Sequence, residues 1–196
     1  MYGEIMHYPG GVKKTEKKII NYANRGMDLE TDLNETNNYY LIHDIAVIYK
    51  KPTPITVSKV DFKSRNDAVI KEARFIVPST TDYNGVYKGK YIDFEAKETK
   101  SKTSFPLSNI HEHQIEHLKK VHNHGGIAFI IVRFTLLNET YYLSAKDLIT
   151  FLENNDRKSI PYDYFKKCGY LIVDKYNPRV DYISIVDKYL GGTNEG

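Results

Sequence analysis

Cysteine is almost absent from this chain: Cys168 is alone among 196 residues. A single thiol cannot form an intramolecular disulfide, which excludes a disulfide-stapled secreted scaffold and suits a reducing compartment. Its apolar setting, Cys-Gly-Tyr-Leu-Ile-Val, favours packing over nucleophilic catalysis. Tryptophan is missing, while tyrosine and phenylalanine number 17 and 8, so any stacking surface must come from those two. No apolar run reaches membrane-spanning length, and the first residues lack the apolar stretch of a signal peptide. The expected location is therefore cytoplasmic. Neither G-x-x-x-x-G-K-[ST] nor G-x-G-x-x-G occurs, so the common phosphate-cradling loops are excluded. The zinc-protease pattern H-E-x-x-H also fails, because Ile115 stands where the second histidine belongs. Neither sign of charge dominates: 28 Lys and Arg against 25 Asp and Glu leave a formal charge of +3, too little by itself to imply a nucleic-acid partner.

The residues that are present describe a soluble domain. Hydrophobic residues at 41% and charged residues at 27% are ordinary for a globular protein, and the length suffices for a substantial core. The distribution of charge is more telling than its sum. Between Lys50 and Lys102, twelve Lys and Arg face seven Asp and Glu, a local excess of five. Such a field attracts polyanions.

The stretch 80–97, Thr-Thr-Asp-Tyr-Asn-Gly-Val-Tyr-Lys-Gly-Lys-Tyr-Ile-Asp-Phe-Glu-Ala-Lys, reads as a β-hairpin with Lys88-Gly89 as its two-residue turn. Alternation then puts Tyr91, Asp93, Glu95 and Lys97 on one face and Ile92, Phe94 and Ala96 on the other. If Tyr87 pairs with Lys90, counting outward sets Asp82 opposite Glu95. Like charges directly opposite on a sheet repel, and a hard divalent cation between them would remove that repulsion. Lys97, on the same face, reaches a negative group held there. A metal, an activated water and a positive charge are what phosphodiester hydrolysis needs. A bare D…ExK at arbitrary spacing is more often a solvated hairpin face; the alignment of the pair is what favours chemistry here.

The rest of the chain supplies supporting elements. Residues 1–20 form a basic arm with Lys13-Lys14 and Lys17-Lys18, able to meet phosphates or simply be solvated. A helix begins at Arg25-Gly-Met-Asp-Leu-Glu30, with Met27, Leu29 and Leu33 on its apolar side. Glu30 flanks that side, either as a further ligand of a metal or its water, or as a first-turn acid suiting the helix dipole. Ile45–Tyr49 reads as a buried strand. Lys50-Lys-Pro-Thr-Pro54 then carries the chain out of the core into an arm of strand and turn, about 51–75. There Lys63, Arg65, Lys71 and Arg74 interleave with Phe62 and Phe75, a pattern for phosphate contact plus stacking, or for a solvated excursion or dimer contact. Lys100 and Lys102 follow the hairpin in a polar loop. A helix over 109–123 places Gln114 within its apolar stripe, where a polar group needs a partner, whether backbone or metal. His113 and His117 at i, i+4 allow zinc, but a histidine-rich surface helix is the better reading. Strands at 126–132, 140–143 and 170–173 alternate with helices after Ser144, after Pro161 and over 183–190.

Several stretches together resemble the RecU-type Holliday-junction resolvases of Gram-positive bacteria, within the PD-(D/E)xK nuclease superfamily. They are N-R-G-M-D-L-E (24–30), L-N-E-T-N-N-Y-Y (33–40), I-A-V-I-Y-K-K-P-T-P (45–54), V-I-K-E-A-R-F (69–75), the long 79–100 segment and H-Q-I-E-H (113–117). The resemblance implies an α/β fold with a mixed central sheet flanked by helices, a restriction-endonuclease-like core with a projecting stalk. The domains would be the basic arm 1–20 and a nuclease domain 21–196 carrying the stalk at about 51–75. It implies Mg²⁺, with Mn²⁺ as a substitute, held by Asp82 and Glu95 and completed by Thr80 and Gln114. Lys97 would stabilise the transition state, and Glu30 would be the first-helix acid. Arg25, Lys50, Lys63, Arg65, Lys71, Arg74, Phe75, Lys100 and Lys102 would meet DNA. The implied partners are four-way branched DNA, a second copy of the chain, the recombinase and the branch-migration machinery. Two rival readings differ in testable ways. A linear-duplex nuclease of the same superfamily would prefer unbranched DNA, and a DNA-bending, annealing or recombinase-modulating protein would bind without metal-dependent nicking.

Overall fold

The computed structural model describes residues 28–61, 68–76 and 80–192. The expected basic arm, Arg25, Met27, Phe62, Lys63 and Arg65 lie outside them. The chain runs α1 (Leu29–Ile42), β1 (Val47–Lys50), β2 (Ile55–Asp61), β3 (Val69–Phe75), β4 (Tyr83–Tyr87) and β5 (Lys90–Thr99). It continues through β6 (Ser104–Pro106), a 3-10 turn (Leu107–Asn109), α2 (Glu112–Asn123), β7 (Ile127–Phe134) and β8 (Glu139–Ser144). It closes with α3 (Ala145–Asn154), β9 (Ser159–Pro161), α4 (Tyr162–Cys168), β10 (Tyr170–Ile172) and α5 (Tyr182–Gly192).

Six strands form the central sheet in the order β1-β4-β5-β7-β8-β10. Every neighbouring pair is antiparallel except β5 and β7, so the sheet is mixed, as the resemblance implied. Parallel strands need a crossover, and α2 lies within the one that joins them. Nearly all of β7 is buried, the mark of a strand covered on both faces. Its odd positions Phe129 and Ile131 join Ile92, Phe94, Tyr142, Tyr182 and Val186 in one core, under α1 and α5. Its even positions Ala128, Ile130, Val132 and Phe134 join Leu118, Leu143, Leu148, Phe151 and Phe165 in another, under α2, α3 and α4. Tyr83, Phe94 and Phe129 stack in series at 4.8 and 4.7 Å between centroids, which ties the hairpin to the middle of the sheet.

The hairpin takes the expected register, Tyr87 against Lys90 and Tyr83 against Phe94. Lys88 and Gly89 both have positive φ, 47° and 73°, the geometry of a type I′ turn. Gly85 is needed for a different reason: a Cβ there would lie 2.0 Å from the Val47 carbonyl oxygen, so the close approach of β1 to β4 depends on its absence.

Three expectations require correction. The segment 45–49 is an edge strand, not a buried one. Only Ile48 in β1 is buried, because among the described residues β1 has a single neighbour in the sheet, leaving Val47 and Tyr49 exposed. The helix expected to begin within Arg25–Glu30 has Asp28 as its cap, accepting from the Thr31 N–H at 2.7 Å, so its first turn starts at Leu29. His117 faces inward, as described below, so α2 is not simply a solvated histidine face. Ser144 does cap α3, accepting from the Asp147 N–H at 3.1 Å.

β2 and β3 form a separate two-stranded antiparallel sheet with exposed side chains throughout most of its length. Ile55, Val57, Val69, Ile70, Phe75 and Ile76 all stand in solvent, with Phe75 at 83% exposure. A bare two-stranded ribbon has no core of its own. The hydrogen bond from Ile76 N to Pro54 O, 3.0 Å, closes its base.

Candidate active site

The site lies on the α2 side of the sheet, where β4 and β5 meet. Alternation along β5 turns Asp93, Glu95 and Lys97 toward that side while Ile92 and Phe94 anchor the opposite core. Asp82 immediately precedes β4, one position beyond the Tyr83–Phe94 pair, and its N–H donates to Glu95 Oε2 at 3.1 Å. The predicted meeting of Asp82 with Glu95 is therefore made. Lys97 bridges the two: its ammonium is 3.5 Å from Asp82 Oδ2 and also donates to Glu95 Oε1.

Burial sets the electrostatics. Glu95 is fully buried, whereas Asp82 and Lys97 remain partly open. Burial, then the side-chain hydrogen bond that a protonated Glu95 gives the Asp82 carboxylate and the charge of that carboxylate, push the Glu95 carboxyl up to about 7, with Lys97 pulling the other way. For Lys97, burial alone would lower the ammonium, but Glu95 and Asp82 outweigh it and hold it above its ordinary value. Tyr83 is raised first by burial and then by Glu30, Asp82, Asp28 and Glu95, so four acids converge electrostatically on this end of the sheet. Glu30 is exposed in the first turn of α1 and forms an ion pair with Lys50.

Of the other expected ligands, one has a partner within the fold. Gln114 is buried, and its Oε1 accepts from the His111 N–H at 3.0 Å, closing the start of α2. Thr80 is partly buried beside Thr81. The His113 ring stacks on His111 with centroids 5.3 Å apart, and among the described residues no three His, Cys, Asp or Glu side chains converge as a metal cluster. The donor set is thus a carboxylate pair. It consists of hard oxygen ligands whose mutual repulsion a cation or a proton on Glu95 relieves, and the Lys97 ammonium lies between them here. That chemistry fits a divalent hard ion.

The expected DNA-binding residues that are described are all exposed. Lys71 pairs with Asp61 on the ribbon at 2.6 Å, Arg74 and Phe75 are exposed near its base, and Lys100 and Lys102 are exposed beyond β5. Lys50 is held by Glu30.

Sequence reasoning missed a second carboxylate centre. Asp93 is fully buried and receives Lys51 Nζ at 2.9 Å, Tyr91 OH at 2.7 Å, His117 Nε2 at 3.1 Å and the Thr81 hydroxyl. Alternation had placed Asp93 beside Glu95, and that was the available signal. Tyr91 is its neighbour on the same face of β5, but Lys51, Thr81 and His117 come from three other segments, which spacing alone does not connect.

With this geometry in hand, comparison with known proteins is informative. Residues 24–188 match the family model for RecU, Recombination protein U. The Holliday junction resolvase RecU of Geobacillus sp. (strain WCH70) is 58% identical over 195 residues, spanning 94% of this chain and 97% of its own. The Holliday junction resolvase RecU of Bacillus cytotoxicus is 56% identical over 193 residues, spanning 93% and 96%. A solved structure of Archaeoglobus fulgidus Hjc, a Holliday junction resolvase, is 12% identical with a TM-score of 0.41, over 70% of this chain and 89% of that one.

Proposed function

Because this chain belongs to the Recombination protein U family, we propose that it is a divalent-metal-dependent endonuclease that resolves four-way DNA junctions. It would do so by paired symmetric nicks in recombination and repair. The observation that carries the reading is the Asp82–Glu95–Lys97 triangle: two carboxylates brought together by the β4–β5 register, bridged by one ammonium.

In this reading Asp82 and Glu95 hold Mg²⁺, for which Mn²⁺ substitutes. Gln114 Oε1 has a second lone pair beyond the one His111 uses, and with the Thr80 carbonyl it completes the ligand set. When bound, the ion supplies Lewis-acid polarisation of the scissile phosphate and acidifies an attached water. Lys97 offsets charge growing on the phosphoryl oxygens. Before an ion binds, burial raises the Glu95 carboxyl to about 7, so Glu95 gives up a proton as it takes its place as a ligand. Water oxygen bonds to phosphorus as the 3′-oxygen–phosphorus bond breaks, leaving a 5′-phosphate and a protonated 3′-hydroxyl. Glu30 lies at the margin of the site, where its negative charge reaches Tyr83.

The exposed ribbon is the stalk of this reading. It enters the centre of an open junction, with Lys71, Arg74 and Phe75 contacting DNA, while Lys50, Lys100 and Lys102 follow the arms. Arg25, Lys63 and Arg65 join them in the proposal. A second copy of the chain related by two-fold symmetry provides two sites for a substrate that is itself pseudo-symmetric. The recombinase and the branch-migration machinery are proposed as further partners, in the cytoplasm. No helix of the described residues is long and apolar enough to cross a membrane.

A labelled mobile four-way junction, incubated with and without Mg²⁺, tests the chemistry. Asp82→Ala should reduce nicking by about 10³-fold or more while leaving junction binding largely intact. Unchanged cleavage would overturn the metal assignment. Removing residues 55–75 should abolish preference for four-way over linear DNA; an undiminished preference would remove the stalk from the account.

A further inference from the structure

The chain leaves the central sheet after β1 and rejoins it at β4. Both ends of this excursion meet on one buried carboxylate. At the outgoing end, Lys51 Nζ donates to Asp93 Oδ2 at 2.9 Å and to Thr81 Oγ1 at 3.0 Å. At the returning end, the Thr81 hydroxyl donates to Asp93 Oδ1. Thr81 is buried at 2% exposure, and Asp93 is fully buried. Tyr91 OH and His117 Nε2 complete the ring around Asp93 Oδ2 at 2.7 and 3.1 Å, fixing it to β5 and to α2.

Asp82 is the residue after Thr81, and it stands outside the β4–β5 ladder. Its backbone is held by two hydrogen bonds, Lys51 N to Asp82 O at 2.8 Å and Asp82 N to Glu95 Oε2 at 3.1 Å. One of these uses a carboxylate oxygen that an ion would also claim. When Glu95 is otherwise engaged, the Lys51 N–H still holds the Asp82 carbonyl, and the side chains of Lys51 and Thr81, joined through Asp93, fix the two segments that this bond connects.

We propose that Asp93 is a positioning residue: it clasps the outgoing and returning ends of the 51–81 excursion and thereby sets Asp82 against Glu95. The inference rests on the reading of Asp82 and Glu95 as the pair that holds the metal. It adds that the precision of this pair depends on a link through the buried Thr81. It also places the root of the ribbon and the acidic pair on one anchor, so displacement of Lys51 is felt at Asp82.

The test uses Thr81→Val, which deletes the hydroxyl and nearly preserves shape, with Thr81→Ser as the conservative rescue. Asp82→Ala serves as the reference for the premise. Mn²⁺ binding to the full chain is followed by electron paramagnetic resonance without DNA, and junction cleavage is resolved into kcat and KM. Outer partners of a metal ligand commonly change affinity by about 10–100-fold. Thr81→Val should weaken Mn²⁺ binding by about tenfold or more and lower kcat with KM for the junction unchanged. Thr81→Ser should restore both. Asp93→Asn, which keeps the shape and removes the charge that holds Lys51, should fall on the same side as Thr81→Val. If Asp82→Ala loses Mn²⁺ while Thr81→Val binds it like the wild type, the positioning role is wrong and the acidic pair stands. If Asp82→Ala itself retains Mn²⁺, the premise is wrong. Should Thr81→Val fail to fold, Thr81→Ala makes the same deletion without the second methyl, and the same outcomes decide.

Discussion

Raising the pH from about 6 to about 8 should tighten divalent-cation binding to this protein by about tenfold. The reason is Glu95. Burial, and then Asp82, push its carboxyl from 4.5 to about 7 despite Lys97. At about pH 6 roughly one molecule in ten has Glu95 ionised, and at about pH 8 roughly nine in ten do. A cation that needs the ionised form competes with a proton at the lower pH and not at the higher. The same shift has a signed consequence for the metal-free fold. Between the unfolded value, 4.5, and the folded one, about 7, the native state keeps a proton that the unfolded chain has released. Stability therefore falls as the pH rises through that window, by about 3 kcal/mol in total, and levels off above it. Lys97 stays charged throughout, since the two carboxylates hold its ammonium above the ordinary value.

Calorimetric titration with Mn²⁺, in two buffers of different ionisation enthalpy, measures affinity and proton release together. Close to one proton should leave per ion bound at about pH 6, and almost none at about pH 8. Thermal melts without metal should show the opposite trend, with lower stability at the higher pH. Glu95→Gln, which cannot titrate, should bind weakly and show no pH dependence from this site. An affinity that stays level across the range, with no proton released at the acidic end, would refute the placement of the ion on Glu95.

Two further changes probe the scaffold. Gly85→Ala puts a methyl 2.0 Å from the Val47 carbonyl oxygen, so β1 must shift; a loss of about 2 kcal/mol in denaturant unfolding is expected, and an unchanged midpoint would contradict the close approach. Phe129→Ala empties the ring between Phe94 and Tyr142, whose centroids are 4.7 and 4.4 Å away. It should cost about 3–5 kcal/mol, while Mn²⁺ affinity in the folded fraction stays near that of the wild type.

Much of the hairpin was legible because it is local. Lys88-Gly89 accepts positive φ at both positions, and a period of two then assigns each β5 side chain to a face. The same counting put Asp82 against Glu95. Counting failed where burial depended on neighbours distant in sequence. Ile45–Tyr49 has the composition of a core strand, yet β1 lies at the edge of the sheet. Gln114 was expected to need a partner, and the fold supplies the His111 N–H three residues away, a local solution that composition did not distinguish from a ligand role.

By itself, then, the sequence determined the turn, the alternation and the pairing of the two acids, since each depends on dihedral preferences and side-chain direction over a few residues. The tertiary structure decided the rest. It placed α2 over β5 through the β5–β7 crossover, left β1 at the edge of the sheet with Val47 and Tyr49 exposed, and gathered Lys51, Thr81, Tyr91 and His117 around Asp93. A buried charge is stable only when fully partnered, and its partners are found by packing in three dimensions, whatever their separation along the chain.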